Sequence, residues 1–345
     1  MCLNCNTSLV VMNFTRHFLR RSVMTHSPHH SWKSTLTSLP KRRQVGRAMS
    51  LWASPAETCA LREQLRTYGS EDDGVTLTMA SDECHSDSPL HSLGDSTAVV
   101  TLRNPTARNA LTGKMMAELA DVVTTLETDA KMQESLTAVV VRGDGDFFCA
   151  GADLRVAADK LSTKEGGRAM STLMIDTLTR LRHLPYLTVA CIAGGAVGGG
   201  AELSTAVDYR IVNATAFLRF VHAHMGVSPG WGGATRLVRL VGRNRALELL
   251  GTAAPCDAAT CLAMGLVDQV VDKRSDMDTR VVQFLDPFVH AHPAVLHAAK
   301  RVVAGAQDAA SFEDAVAVEH AVFLEMWGGP ANRAALEKAQ KKRSK

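Results

Sequence analysis

Glu202 closes the run Gly198-Gly199-Gly200-Ala201-Glu202, which sets an acid directly behind backbone with no side chains to hold a ligand away. Glycine permits both the close approach and the turn it needs. The run follows the apolar, β-branched stretch 187–193 and leads into Glu202-Leu203-Ser204-Thr205-Ala206, a sequence that can start a helix. A strand, a glycine turn and a helix N-terminus leave unpaired amides that can hold an anion or a developing oxyanion. Taken alone, the glycines fit a plain turn equally well. Two more glycine-punctuated segments favour the chemical reading: Phe147-Phe148-Cys149-Ala150-Gly151-Ala152-Asp153-Leu154, and Met225-Gly226-Val227-Ser228-Pro229-Gly230-Trp231-Gly232-Gly233-Ala234-Thr235-Arg236-Leu237. Small residues at all three places leave backbone accessible, as a pocket of amide donors requires. Twenty residues beyond Glu202 stands His222. An imidazole in that place can donate a hydrogen bond or a proton; a packed, hydrogen-bonded histidine beside the pocket is the plainer alternative.

The elements that must position these residues follow from periodicity. Residues 58–68 have helical spacing and 75–79 alternate as a strand, so folded structure is expected to begin near residue 56. The polar stretch 81–96 reads as a loop or hairpin connection. Strands are then expected at 98–102 and 137–141, with an amphipathic helix over 113–128 capped by Thr112 between them. Further strands at 187–193 and 209–212 predict parallel pairing covered by helices, an α/β body. Beyond Pro229 come helices over 234–240, 244–250 and 258–264, a short strand at 266–271, and helices near 279–290, 293–304, 311–326 and 331–341. The expected divisions are an N-terminal extension over 1–55, an α/β core over 56–275 and a helical C-terminal region over 276–345.

Composition narrows the function classes. With 345 residues, 46% hydrophobic and 21% charged, the chain suffices for one large core or two smaller ones. No uninterrupted apolar run of about 18 residues occurs, which argues against a membrane span. The net charge of +3 hides an asymmetry: residues 1–56 hold eight Lys and Arg and no acid. Without those eight, 30 basic face 35 acidic residues, a net of −5, so no basic nucleic-acid face is indicated. The acid-free N-terminus fits either an inert tail or a mitochondrial transit segment. The eight cysteines are scattered and read as free thiols of a reducing compartment. No metal site is expected, because Cys2 and Cys5 have no matching pair nearby.

Four motifs in order, Asn104-Pro105 through Asn109-Ala110-Leu111, Phe148 to Leu154, Gly198 to Leu203 and Pro229 to Leu237, resemble the crotonase (enoyl-CoA hydratase/isomerase) superfamily. The finer pattern, Arg219-Phe220-Val221-His222, Met225-Gly226, Trp231 and Trp327-Gly328-Gly329-Pro330-Ala331-Asn332, resembles its decarboxylating branch. The resemblance implies a crotonase (ClpP-like) α/β fold, with repeated ββα units in a spiral core and a helical C-terminal trimerisation region. It implies a homotrimer or dimer of trimers, an acyl-CoA substrate and no separate cofactor, since CoA belongs to the substrate. It also implies an oxyanion hole for the thioester oxygen, made by the backbone N–H groups of Ala152 and Gly199.

Hydratases of the superfamily use two carboxylates, the second about twenty residues after the first, to activate and deliver a water. Here Glu202 keeps the first, but His222 stands in the second place, which argues against hydration. Decarboxylation needs no base: carbon dioxide leaves, an enolate forms at the thioester and the oxyanion hole stabilises it. The resemblance therefore implies release of carbon dioxide from ethylmalonyl-CoA, and less well from methylmalonyl-CoA, giving butyryl-CoA and propionyl-CoA in a metabolite-repair role. Glu202 and His222 are the candidates to position or deliver the proton; Glu202 as a structural carboxylate at a helix start is the alternative. Trp231 is read as a wall of the acyl pocket or as a core aromatic, and His224 as local support. The substrate-binding positions implied are Ala107, Arg108, Ala150, Gly151, Asp153, Leu154, Gly198 and Trp231, with Asp153 also suited to capping a helix. Arg155 and the C-terminal Lys338, Lys341 and Lys342 are either CoA phosphate contacts or solvated charges. The alternatives are an enoyl-CoA hydratase or isomerase and, from another class, a non-catalytic or RNA-binding protein on the same scaffold. The family implies the cytosol; the basic N-terminus, read alone, suits the mitochondrial matrix.

Overall fold

The computed structural model describes residues 53–82 and 88–343. The extension expected over 1–55 lies outside them except for its last three residues, of which Ser54 caps α1 (Pro55–Arg66) by accepting from the Glu57 amide at 3.1 Å.

A six-stranded sheet forms because four apolar, β-branched stretches can be buried on both faces. Its order is β1 (Gly74–Met79), β2 (Thr97–Arg103), β3 (Ala138–Gly143), β4 (Leu187–Ile192), β6 (Tyr209–Asn213) and β9 (Gln269–Val271). β1 runs antiparallel to β2 and the other pairings are parallel, with Val100 opposite Val141 and Val141 opposite Ala190. Alternation across the pleat splits β3 between two cores. Val139 and Val141 pack with Met115 and Leu119 of α2 (Gly113–Thr128) and with Leu173 and Leu178 of α5 (Lys164–His183). Val140 turns the other way, joining Val99, Val189 and Ile211 under Met277, Val281 and Leu285 of α10 (Met277–Val289). The expected cap of α2 is present: Thr112 Oγ1 accepts from the Met115 amide. Short α3 (Ala130–Ser135) connects α2 to β3.

Three short strands make a second sheet, β5 (Gly195–Val197), β7 (Phe217–Arg219) and β8 (Cys256–Asp257) in that order. Two short helices leave the strand ends, α4 (Leu154–Lys160) and α6 (Gly199–Ser204). α7 (Gly233–Val241), α8 (Arg243–Thr252) and α9 (Ala258–Ala263) follow. The last helices are α11 (Pro293–Asp308), α12 (Phe312–Met326) and α13 (Pro330–Arg343). α11 is fastened to the core by Lys300, whose ammonium lies 2.7 Å from Asp208, and by Asp308, which accepts from Arg182 and Arg239.

Three sequence expectations change. Helices were expected to cover the sheet but none was placed between 141 and 187, where α5 spans 20 residues; Gly166 and Gly167 weaken its local signal, and burial of Leu173, Leu178 and Leu181 holds it instead. The strand expected over 266–271 shrinks to β9, because Leu266 turns back to bond the Cys261 carbonyl. Of the stretch 81–96 expected as a loop or hairpin connection, the described residues 81–82 and 89–96 lie in 3-10 turns.

Candidate active site

Three backbone segments are laced together at the ends of β3 and β4. Asn109 adopts a left-handed φ of 56°, and its side-chain amide donates to the carbonyls of Asp144 and Phe147 at 2.8 and 2.7 Å. The Arg108 carbonyl then accepts from Ala150 at 3.1 Å, and the Cys149 carbonyl from Val197 at 2.9 Å. Leu111 bonds on both sides of Ala152, to the Gly151 carbonyl at 2.7 Å and from the Asp153 amide at 2.9 Å. The geometry turns the Ala152 N–H the other way. Neither that N–H nor the Gly199 N–H meets an acceptor among the described residues. The two donors are neighbours: a Cβ on Gly151, whose φ is 93°, would stand 2.9 Å from the Gly199 nitrogen.

Glu202 lies behind them on α6, 1% exposed. α6 starts at Gly199, earlier than the sequence suggests, and has six residues, so the acid sits within its first turn. Glu202 Oε1 accepts from the backbone amides of Trp231 and Gly233, both at 2.9 Å. Glu202 Oε2 faces His222 Nε2 at 3.1 Å. Because Oε1 already accepts twice, a proton on this acid belongs on Oε2, shared with His222. His222, in the 3-10 turn Val221–Met225, is buried, and its Nδ1 has no partner among the described residues. Gly233 makes the arrangement possible: a Cβ there would come within 2.2 Å of Glu202 Cγ.

Trp231 is buried, and its indole covers Gly199, where a Cβ would meet the ring at 2.3 Å. The next polar layer was not singled out from sequence. Arg236 on α7 is buried and donates to the Thr205 hydroxyl, the Glu202 carbonyl and the Trp231 carbonyl. Burial pushes its guanidinium down to about 10, against the nearby charge of Glu202, so it stays cationic at neutral pH. Ser171 on α5 donates to the Gly230 carbonyl at 2.6 Å. Arg236 lies inside the motif Pro229 to Leu237, but α7 also carries the exposed Arg239, so periodicity alone did not mark which arginine is buried; Ser171 left no local signal.

The remaining predicted residues divide between the cluster and its rim. Asp153 caps α4, with Oδ1 accepting from the Arg155 and Val156 amides at 2.9 and 3.2 Å and Oδ2 from the Arg155 guanidinium at 3.2 Å. Leu154 and the Arg155 side chain are exposed, and the Arg108 guanidinium lies 5.7 Å from the Phe147 ring centre. Ala107 ends a 3-10 turn beside Arg108. Gly198, with φ 55°, donates to the Arg219 carbonyl and so ties α6 to β7. His224 is exposed, with its Nδ1 3.2 Å from the Arg219 guanidinium. Lys338, Lys341 and Lys342 stay exposed on α13. A cavity of about 360 Å³ opens beside Asp153, Arg155 and Thr112, but neither Glu202, His222 nor Trp231 lines it. Burial raises the Cys149 thiol to about 12, which leaves it unsuited to act as a nucleophile.

Residues 93–334 match the family model described as enoyl-CoA hydratase/isomerase. A Danio rerio protein named ethylmalonyl-CoA decarboxylase is 42% identical over 245 residues, which cover 69% of this chain and 78% of that protein. A Mus musculus protein of the same name is 40% identical over 248 residues, 70% of this chain and 74% of that protein. Among solved structures, an enoyl-CoA hydratase from Bacillus anthracis matches with TM-score 0.66 and 26% identity, covering 72% of this chain and 93% of that one. A putative enoyl-CoA hydratase from Thermobifida fusca YX in complex with acetoacetyl-CoA matches with TM-score 0.61 and 28% identity, covering 73% and 94%. The α/β spiral core with helices at its C-terminal end is the fold of those hydratases.

Proposed function

The chain belongs to the enoyl-CoA hydratase/isomerase family, and we propose that it decarboxylates ethylmalonyl-CoA, and methylmalonyl-CoA more slowly, to butyryl-CoA and propionyl-CoA. The observation that carries this reading is the 3.1 Å pair of Glu202 and His222 behind two amides that meet no acceptor among the described residues. Hydration would require a second carboxylate to share the water; an imidazole occupies that place. The decarboxylase names of the relatives support the same choice.

In the proposed reaction the thioester oxygen enters the space between the Ala152 and Gly199 N–H groups. The bond from the α-carbon to the carboxylate breaks, carbon dioxide leaves, and the electron pair passes into the thioester as an enolate. Two preorganised amides favour that oxyanion more than the neutral carbonyl that precedes it, which lowers the barrier. The Glu202–His222 pair then supplies a proton to the α-carbon and recovers one from solvent. His222 Nδ1, buried and without a partner among the described residues, offers the bound thioester a further polar contact. Trp231 closes the site against bulk water. No added cofactor is proposed, and the compartment proposed is the cytosol.

The test is turnover of ethylmalonyl-CoA followed as butyryl-CoA, with crotonyl-CoA offered in parallel. Decarboxylation is expected with negligible hydration, and His222→Ala should lower kcat by about 100-fold. Rapid hydration of crotonyl-CoA with ethylmalonyl-CoA left intact would reverse the assignment.

A further inference from the structure

Trp231 is held at its backbone from three sides. Its N–H donates to Glu202 Oε1 at 2.9 Å, its carbonyl accepts from Arg236 Nη2 at 2.9 Å, and the preceding carbonyl, of Gly230, accepts from Ser171. Arg236 is the member that reaches across. The same Nη2 donates to the Glu202 carbonyl at 3.1 Å, and its Nε to the Thr205 hydroxyl at 2.9 Å. One planar guanidinium, 8% exposed, thus joins the segment carrying Trp231 to both ends of the turn carrying Glu202. All its acceptors are carbonyl or hydroxyl oxygens, and no carboxylate forms an ion pair with it among the described residues. A buried cation with neutral acceptors is costly to keep for packing alone. Its fork geometry is what three acceptors at fixed angles demand, and an ammonium cannot reproduce it.

We propose that Arg236 is a positioning residue that sets the width of the acyl pocket: by tying the Trp231 carbonyl to α6 it holds the indole across Gly199 and so decides which 2-alkyl chain fits. The proposal rests on the decarboxylase reading for its substrates, but not for its geometry. Trp231 crosses Gly199 so closely that a Cβ there would meet the ring at 2.3 Å, so a rotation of the Trp231 backbone moves the ring directly at the donor amide. In an apolar pocket one methylene is worth about 10-fold or more in discrimination. Releasing the indole should therefore appear as a change in selectivity rather than as a uniform loss of rate.

The experiment compares Arg236→Met and Arg236→Lys with wild type in two measurements on the full chain. In the first, Trp32, Trp52 and Trp327 are replaced by Phe, leaving Trp231 as the sole indole of the four, and acrylamide quenching and emission maximum report its burial. Arg236→Met should redden the emission and raise quenching, with Arg236→Lys between it and wild type. In the second, kcat/KM is measured for ethylmalonyl-CoA and propylmalonyl-CoA. The preference for the shorter chain should fall about 10-fold in Arg236→Met and recover in part in Arg236→Lys. An unchanged Trp231 signal in a folded Arg236→Met overturns the proposal, as does a released indole with the preference intact. The fluorescence needs no turnover, so wild-type silence toward ethylmalonyl-CoA counts against the decarboxylase reading alone, while the Trp231 signal still decides what Arg236 holds.

Discussion

The segments 147–155 and 195–205 are built on one plan: a strand end, glycine, an unpartnered amide, an acid and a short helix. Their acids nevertheless do different work. Asp153 caps its own helix, with one oxygen on two α4 amides and the other on Arg155. Glu202 caps a distant helix: Oε1 accepts from Trp231 and Gly233 at the start of α7, where no side chain of that segment caps the helix. A cap made in cis engages both oxygens locally. A cap made across the fold engages one, and Oε2 remains for His222. The difference is therefore set less by residue type than by which free amides the fold brings within reach.

That contrast can be broken at three points, in descending order of effect. Gly199→Val places side-chain atoms where the Trp231 ring now sits and displaces the second donor amide, so kcat should fall by about 100- to 1,000-fold; steady-state turnover beside circular dichroism separates this from unfolding. Glu202→Gln keeps an acceptor for the α7 amides but cannot pass a proton to His222, and should cost about 100-fold in kcat with the fold retained. An equal loss in Asp153→Asn would erase the distinction between the two acids.

The smallest effect sharpens the comparison from the other side. Asp153→Ala should cost about 1 kcal/mol of stability, a melting shift of roughly 1–2 °C in a chain of this length, with kcat within a few-fold of wild type. Burial alone would raise the Asp153 carboxyl, but the Arg155 guanidinium and the amides of Val156 and Arg155 outweigh it and hold the group below its ordinary value. A carboxylate depressed in the folded state contributes its stability above the unfolded value of about 3.9 and loses it as pH falls below. The melting gap between wild type and Asp153→Ala should accordingly be full at pH 7 and close on acidification below about pH 4. A gap at pH 3 undiminished from its size at pH 7 would show that Asp153 contributes packing rather than charge.

Much of this plan is local and was therefore legible in the chain. Alternation and β-branching marked the strands at β2, β3, β4 and β6, and the spacing from Thr112 marked α2 at its observed bounds, because those signals come from neighbours a few residues apart. The glycine segments and the Glu202–His222 spacing were readable for the same reason. Less legible were α5, masked by Gly166 and Gly167, and the strands β5 and β7, which at three residues each are too short to show a period.

The sequence by itself determined which groups are available: glycine-flanked backbone at 151 and 198–200, one acid with an imidazole in place of a second carboxylate, and an indole. Only the tertiary structure decided their partners. It brought Gly233 within reach of an acid 31 positions earlier, faced Oε2 toward His222, and set Arg236 between Trp231 and α6. Hydrogen bonds of such separation depend on how helices dock on the sheet, and no window of neighbouring residues encodes that docking.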